Sequence, residues 1–292
     1  MSSKNFKSGY VTICGKPNVG KSTLLNYLLG TKLAAVTPKP QTTRHKILGI
    51  LNREDAQIIF VDTPGIFKPG YYLQKIMVKT AMSAVKDTDL VLLMVEPDEY
   101  DDDILDKIEK HPVVIAINKI DKLKRKESLL PLIEEYSKHE LVKEVVPISA
   151  LKGVNVDELL QVIIDLLPEG EPYFPQDMLS DQNERFFVEE IIREKIFELY
   201  REEVPYASTV VIDEFQEKEK KHYIRAIIYV ESEGEKGIII GKGGEKIKKL
   251  GIKAREEIEL LLGHPVYLEL WVKVRKGWRK KPEILREFGY HA

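Results

Sequence analysis

The run Gly15-Lys16-Pro17-Asn18-Val19-Gly20-Lys21-Ser22 has the spacing G-x-x-x-x-G-K-[ST]. Glycines at its two ends let backbone N–H groups turn inward around an anion, and a helix starting at its far end adds its positive pole. Lys21 is then placed to reach β- and γ-phosphates, and the Ser22 hydroxyl to bind Mg²⁺. Thr23 continues the run into the helix. A merely glycine-rich turn would show no such order of Lys and Ser after the second glycine.

That loop does not choose between bases, nor between a kinase and a switch. The next motifs do. Asp62-Thr63-Pro64-Gly65 follows an apolar run, where an acidic side chain can hold a Mg²⁺ water shell and the Gly65 amide can meet a γ-phosphate. Asn118-Lys119-Ile120-Asp121 ends a second apolar run. The Asp121 carboxylate can accept two N–H bonds from a guanine edge, which adenine does not offer, and the wrong base would leave a carboxylate unmatched. Asn118 would buttress the phosphate loop and the Lys119 stem would cover the base plane. Ser149-Ala150-Leu151-Lys152 ends the following apolar run and supplies a backbone contact to the base.

The elements that must carry these motifs follow from the hydrophobic pattern. Strands are expected at Tyr10–Cys14, Lys46–Leu51, Gln57–Asp62, Leu90–Val95, Val113–Asn118 and Glu144–Ile148, alternating with amphipathic helices at Ser22–Leu29, Ile76–Val85, Ser128–Lys138 and Val156–Leu167. Continuous apolar strands such as Leu90–Val95 are those of a sheet covered on both faces, so the first ~170 residues read as an α/β domain with a mostly parallel sheet. Ligands of such sheets sit beyond the carboxyl ends of the strands, where all four motifs fall.

The segment Pro168–Pro175 contains three prolines and ends the preceding helix. Beyond it the order is a helix at Glu184–Tyr200, strands at Thr209–Phe215 and Tyr223–Glu231, helical segments around a glycine cluster, and a strand at Val266–Val274, an α+β layout. The expected division is a nucleotide-binding domain over 7–172, a linker over 173–182, a second domain over 183–281 and a C-terminal tail over 282–292. Within the second domain, Gly241-Lys242-Gly243-Gly244 is a Gly-x-x-Gly turn between apolar-patterned segments. It is no second phosphate loop of the first kind, because Gly243 stands where Ser or Thr is needed. Such a turn lets backbone approach a nucleic-acid phosphate chain, as in KH domains. Ile239, Lys246, Lys249, Lys276 and Arg279 are the further candidates for that surface. Trp271 and Trp278 interleave with the basic ending in a way suited to single-stranded nucleic acid, although Trp271 is expected in the core.

With Pro38-Lys39-Pro40-Gln41-Thr42-Thr43-Arg44 between the first helix and second strand, these motifs resemble those of the bacterial Era GTPases, and the helix–strand–strand–helix–helix–strand order with its basic ending resembles a type II KH domain. The resemblance covers nearly the whole chain. It implies that GTP and GDP are the nucleotides and that Thr42 or Thr43 completes the Mg²⁺ shell with Ser22 and Asp62. Catalysis would fall to Lys21, Thr43, Gly65 and Asn18, the last by helping bind K⁺. It further implies binding to the 3′ end of 16S rRNA, a part in maturation of the 30S subunit, and peripheral contact with the inner membrane. Ile66 stands where Ras-like proteins carry a water-orienting glutamine, so slow intrinsic hydrolysis is expected. Arg44 is expected to be a solvated loop residue.

Composition agrees with this reading. The chain has 292 residues, 43% hydrophobic and 32% charged, with one cysteine, Cys14, which excludes an internal disulfide framework. Apolar runs are too short to span a bilayer and residues 1–9 lack a secretory h-region, so a soluble cytoplasmic protein is expected; a monomer is the expected state. The net charge of −2 hides two poles: residues 181–235 carry 8 basic and 15 acidic side chains, residues 236–292 carry 14 and 7. A basic pole on the Gly-x-x-Gly segment suits a phosphate backbone. An ATP-dependent kinase or helicase would have no use for Asn118–Asp121, and a scaffold with a relic phosphate loop would not need Lys21, Ser22 and Asp62 together.

Overall fold

The computed structural model describes residues 6–97, 100 and 103–291; residues 1–5 of the leading segment and Ala292 of the tail lie outside the described residues. The first sheet has six strands: β1 Lys7–Cys14, β2 Ile47–Asn52, β3 Ala56–Asp62, β4 Leu90–Val95, β5 Val113–Ile117 and β6 Val142–Pro147. Their order is β2-β3-β1-β4-β5-β6, with β2 antiparallel to β3 and the other pairs parallel. The pleat of β4 shows why the strand is apolar throughout. Leu90, Leu92 and Met94 join one core while Val91, Leu93 and Val95 join the core on the other face. Burying each such side chain contributes about 1.5–3 kcal/mol.

Helices α1 Lys21–Leu29 and α4 Val156–Leu166 cover one face; α2 Tyr72–Lys86 and α3 Leu130–Ser137 cover the other. In α4, Leu159, Leu160, Ile163 and Ile164 lie one turn apart and all are buried, as its apolar stripe requires.

The proline-rich segment after α4 is strapped to the sheet rather than loose. Ser8 N–H donates to Pro168 O, Tyr173 and Phe174 N–H donate to Gln57 Oε1, and Ile50 N–H donates to Leu179 O. It delivers the chain to α5 Glu184–Leu199, whose N-cap is Asn183, with its side chain accepting from Phe186 N–H.

There follow α6 Val204–Ala207, β7 Thr209–Gln216, β8 His222–Val230, α7 Glu233–Ile240, α8 Glu245–Leu262, β9 Val266–Val274 and α9 Pro282–Glu287. Strands β7 and β8 are antiparallel, β8 and β9 parallel, in the order β7-β8-β9. Alternate residues of β8, Ile224, Ala226, Ile228 and Val230, are buried against α5 and α8 and make the second core. The segment after β9, which begins with the basic ending, folds back. Trp278, Ile284, Leu285 and Tyr290 close a core with Leu73 and Met77 of α2. Among the described residues no helix is long and apolar enough to cross a membrane.

Candidate functional site

The first four motifs meet at the carboxyl ends of β1, β3, β5 and β6. Gly15 and Gly20 have φ of 143° and 105°, and a Cβ on Gly20 would stand 2.2 Å from Asn118 Nδ2, so this close approach admits only glycine. The reason is the buttress expected of Asn118: its Nδ2 donates to Val19 O at 2.7 Å while its Oδ1 accepts from Ala150 N–H at 2.8 Å. One side chain thereby ties the phosphate loop to the base-side loop. Lys119 is left-handed, φ 66°, and its ammonium pairs with Glu96. Asp121 Oδ1 accepts from Ser149 Oγ at 2.6 Å, which aims the carboxylate. Leu151 is exposed at the rim, and Lys152 N–H donates to Ser149 Oγ.

On the phosphate side Lys21 is buried, with Nζ donating to the carbonyls of Lys16 at 3.0 Å and Gly15 at 3.3 Å. Burial lowers its pKa, opposed by the nearby Asp62 carboxylate. Asp62 is itself fully buried, and burial pushes it up to about 6 against the pull of Lys21 and Ser22. Ser22 Oγ donates to Asp62 Oδ2 at 2.6 Å and lies 3.0 Å from Thr43 Oγ1. Asp62 Oδ1 is buried with no partner. Ser22 Oγ, Thr43 Oγ1 and the Asp62 carboxylate, with its Oδ1 left without a hydrogen-bond partner, fit a hard oxygen-liganded cation such as Mg²⁺.

The arrangement separates two threonines that the sequence leaves open. Thr43 faces Ser22, whereas Thr42 is turned away, its Oγ1 2.6 Å from Thr37 Oγ1 and donating to Lys39 O at 2.9 Å. Gly65 packs on the phosphate loop: a Cβ there would stand 2.7 Å from Pro17 N, and Ile66 N–H donates to Gly15 O. Thr63 Oγ1 donates to Ile13 O, which fixes the turn through Pro64. Ile66 is buried in the core, so its side chain cannot reach a water.

The loop 37–44 also holds what sequence reasoning missed. Arg44 is not solvated. It is 3% exposed, and its guanidinium donates to the carbonyls of Ser208 at 2.7 Å, Pro205 at 3.0 Å and Tyr206 at 3.1 Å, all in the second domain. Those carbonyls lie at α6, which breaks off after one turn and leaves them without helical partners. Lys39 Nζ donates to Phe197 O and Tyr200 O at the end of α5, where the helix dipole favours a cation. Gln41 Oε1 accepts from Gln74 Nε2 on α2 at 3.0 Å. Lys32 reaches both Glu194 of α5 and Glu257 of α8, and Val36 N–H donates to Glu194 Oε1 at 3.1 Å. No spacing marks these residues, since their partners, main-chain carbonyls and side chains alike, are distant in sequence.

In the second domain Gly241, Gly243 and Gly244 have φ of 72°, 61° and 80°. Nothing lies within 4 Å of a Cβ built at Gly243 or Gly244, so the turn is open. Lys242, Lys246 and Lys249 are exposed around it, and Lys276 at the end of β9 is exposed as well. Two expected members do not join them. Ile239 is fully buried in the core, its carbonyl accepting from Tyr200 Oη, while Ile238 is the half-exposed neighbour. Arg279 is paired with Glu231 and lies 5.0 Å over the Tyr71 ring, at the contact between domains. The tryptophans are also reversed. Trp278 is fully buried, with Nε1 donating to Ala207 O at 2.8 Å, and Trp271 is 48% exposed.

Residues 10–119 match the family described as "50S ribosome-binding GTPase", and residues 203–279 match the KH domain. Among solved structures, a tyrosine-to-alanine variant of Aquifex aeolicus Era bound to GDP and aluminium fluoride is 48% identical. The match covers 98% of this chain and 100% of that one, with a TM-score of 0.94. The chain belongs to the Era GTPase family. A second Era structure, in complex with MgGDPNP and nucleotides 1506–1542 of 16S ribosomal RNA, is 47% identical over 98% of this chain and 100% of that one, again with a TM-score of 0.94. An Era GTPase hydrolyses GTP to GDP and phosphate, and both Era structures carry the nucleotide for which the first site here is shaped. The fold expectations hold: a mostly parallel α/β GTPase domain is followed by an α+β KH domain.

Proposed function

We propose that this protein is a GTP-driven switch whose KH domain binds the single-stranded 3′ end of 16S rRNA during 30S maturation, and whose nucleotide state controls that binding. The observation that carries the proposal is the double engagement of residues 37–44. Thr43 faces the Ser22–Asp62 oxygens while its neighbour Arg44 is plugged into the KH domain. One peptide link separates the residue that would sense the γ-phosphate from the residue that holds the second domain. Under this proposal the docked arrangement, in which nothing crowds Gly243 and Gly244, is the γ-phosphate and RNA-binding state. The division into a GTPase domain over 7–172, a linker over 173–182, a KH domain over 183–281 and a tail over 282–292 belongs to the same proposal.

In the GTPase reaction Lys21 and the loop amides of 15–22 hold the β- and γ-phosphates, and Ser22, Thr43 and Asp62 hold Mg²⁺. When bound, that ion neutralises charge developing between the β- and γ-oxygens. The Gly65 amide meets the γ-phosphate. With Ile66 buried, no side chain at that position orients the attacking water, so unaided turnover is slow. Asn18 Nδ2 donates to Pro38 O at 2.9 Å and so stands between the phosphate loop and the loop 37–44. A K⁺ held there would supply the charge that an arginine finger supplies elsewhere. Turnover is expected to rise at least ~10-fold when NaCl is replaced by KCl at equal ionic strength, an effect Asn18→Ala removes. Equal rates in the two salts would contradict this role. The setting is the cytoplasm, and any inner-membrane contact would be peripheral.

The RNA assignment is tested by competition between an oligonucleotide copied from the 16S 3′ end and one of scrambled sequence, both against the protein loaded with a non-hydrolysable GTP analogue. Preference for the former is expected; equal competition would contradict the assignment.

A further inference from the structure

Of the strands that run parallel in the first sheet, β4 alone ends in none of the nucleotide motifs. It lies between β1 and β5, so its carboxyl end emerges between the phosphate loop and Asn118–Asp121. Contacts on both sides show how closely it is built in. Toward β1, a Cβ on Gly15 would stand 2.3 Å from Met94 O, so the phosphate loop rests on the backbone at the end of β4. Toward β5, Asn118 N–H donates to Val95 O at 2.9 Å. The residues that follow Val95 and Asn118 are Glu96 and Lys119, and their side chains form an ion pair.

Lys119 has a φ of 66°, a conformation unfavourable to any residue with a Cβ and kept only where neighbours over-determine it. The neighbours here are Asn118 N–H on Val95 O, Ile120 N–H on Ile148 O at 3.2 Å and Lys122 N–H on Lys119 O at 3.0 Å. That clamp fixes where the lysine stem starts but not where it goes. A lysine stem is long and flexible, and its rotamer freedom must be lost when it lies against a base. An anchor on the ammonium removes much of that freedom before the nucleotide arrives. Glu96 supplies the anchor. The two side chains are 36% and 21% exposed, so the pair adds little to the stability of the fold as such. Its effect lies in where it holds the stem.

We infer that Glu96 is a positioning residue for guanine nucleotides: by holding the Lys119 ammonium it keeps the stem over the base plane and slows nucleotide release. This rests on the placement of the Lys119 stem over the base, and it adds the end of β4 to the strand ends that build the site. Asp121 chooses guanine through hydrogen bonds to its edge. Glu96 acts on residence instead, because a stem lying on a ring face does not distinguish one purine from another.

The test measures release of a fluorescent GDP from the full chain with Mg²⁺, chased with excess unlabelled GDP. Glu96→Gln keeps the shape of the side chain and removes its charge. It is expected to release GDP about 3- to 5-fold faster at low salt, and the gap from the unaltered protein should close as salt screens the pair. In a Lys119→Ala background the same substitution should change nothing further, since the group through which it acts is gone. A structural loosening of the β4 end would instead speed release equally in both backgrounds and at every salt concentration, and that result would overturn the inference. So would an unchanged rate for Glu96→Gln. The Lys119→Ala protein keeps the two readings distinct. If it releases GDP at the unaltered rate, the placement of Lys119 over the base fails and the role of Glu96 fails with it. Faster release from Lys119→Ala beside an unchanged Glu96→Gln would leave Lys119 over the base and remove Glu96 alone.

Discussion

Asp121→Asn is expected to lower GTP affinity at least ~100-fold and to raise affinity for xanthosine triphosphate, measured by nucleotide titration of the purified chain. The carboxylate is held by Ser149 Oγ at 2.6 Å and can accept two N–H bonds from guanine. An amide there offers one acceptor and one donor, which mismatches guanine and matches the extra carbonyl of xanthine. Sites built to hydrogen-bond a substrate reject the analogue that leaves a buried group unpaired by factors of up to about 10⁴–10⁵. The loss stays well below that ceiling because phosphate contacts from Lys21 and the loop amides remain intact. The fold is expected to survive, since Asp121 belongs to no core cluster. Unchanged GTP affinity would reopen the reading of this domain as an ATP-using enzyme.

Arg44→Ala is expected to separate the two activities. The guanidinium holds three carbonyls of the KH domain and lies 5.7 Å from the Phe197 ring and 5.9 Å from the Trp278 ring. Its removal leaves those carbonyls unpaired in a buried contact, a loss of about 2–4 kcal/mol of docking. Affinity for GDP should stay within ~3-fold, because Arg44 does not line the nucleotide cavity formed by Asn18, Lys21, Ser22, Thr43 and Gly65. The difference in RNA affinity between GDP and a GTP analogue should fall toward none. Arg44→Lys is expected to behave nearly as badly, since one ammonium cannot reproduce a planar fork facing three acceptors. Hydrogen exchange over residues 204–209 gives an independent readout of lost docking. A variant with full nucleotide dependence of RNA binding would show that coupling runs elsewhere, through the α2 contacts with Trp278 and Leu285.

The nucleotide site was legible because its motifs are local. Each sits at the end of an apolar strand, and the parallel topology gathers strand ends by itself. The same logic placed β4 and β9 at Leu90–Val95 and Val266–Val274 and fell short at α2, which runs Tyr72–Lys86 rather than Ile76–Val85. Its first turn is apolar only on the side that meets the C-terminal segment. The contact between domains was not legible. Arg44, Lys39 and Lys32 read as ordinary loop charges, and their partners are carbonyls and carboxylates about 160 to 225 residues away in sequence. Trp271 and Trp278 were misplaced for a related reason. A tryptophan in a strand reads as core by hydrophobicity, whereas its side of the sheet decides, and β9 turns Trp271 outward. Trp278 is buried only because the chain after β9 returns to α2. Ile238 and Ile239 differ by 100° around α7, which an unbroken run of three isoleucines conceals.

The central claim is that γ-phosphate contact at Thr43 and KH engagement through Arg44 are one event. It is tested most directly by measuring affinity for single-stranded RNA copied from the 3′ end of 16S rRNA, once with GDP and once with a non-hydrolysable GTP analogue. Binding about 5- to 150-fold tighter with the analogue is predicted, the span that coupling between two sites ordinarily takes. Equal affinity in the two states would contradict the account and leave two tethered activities that do not communicate.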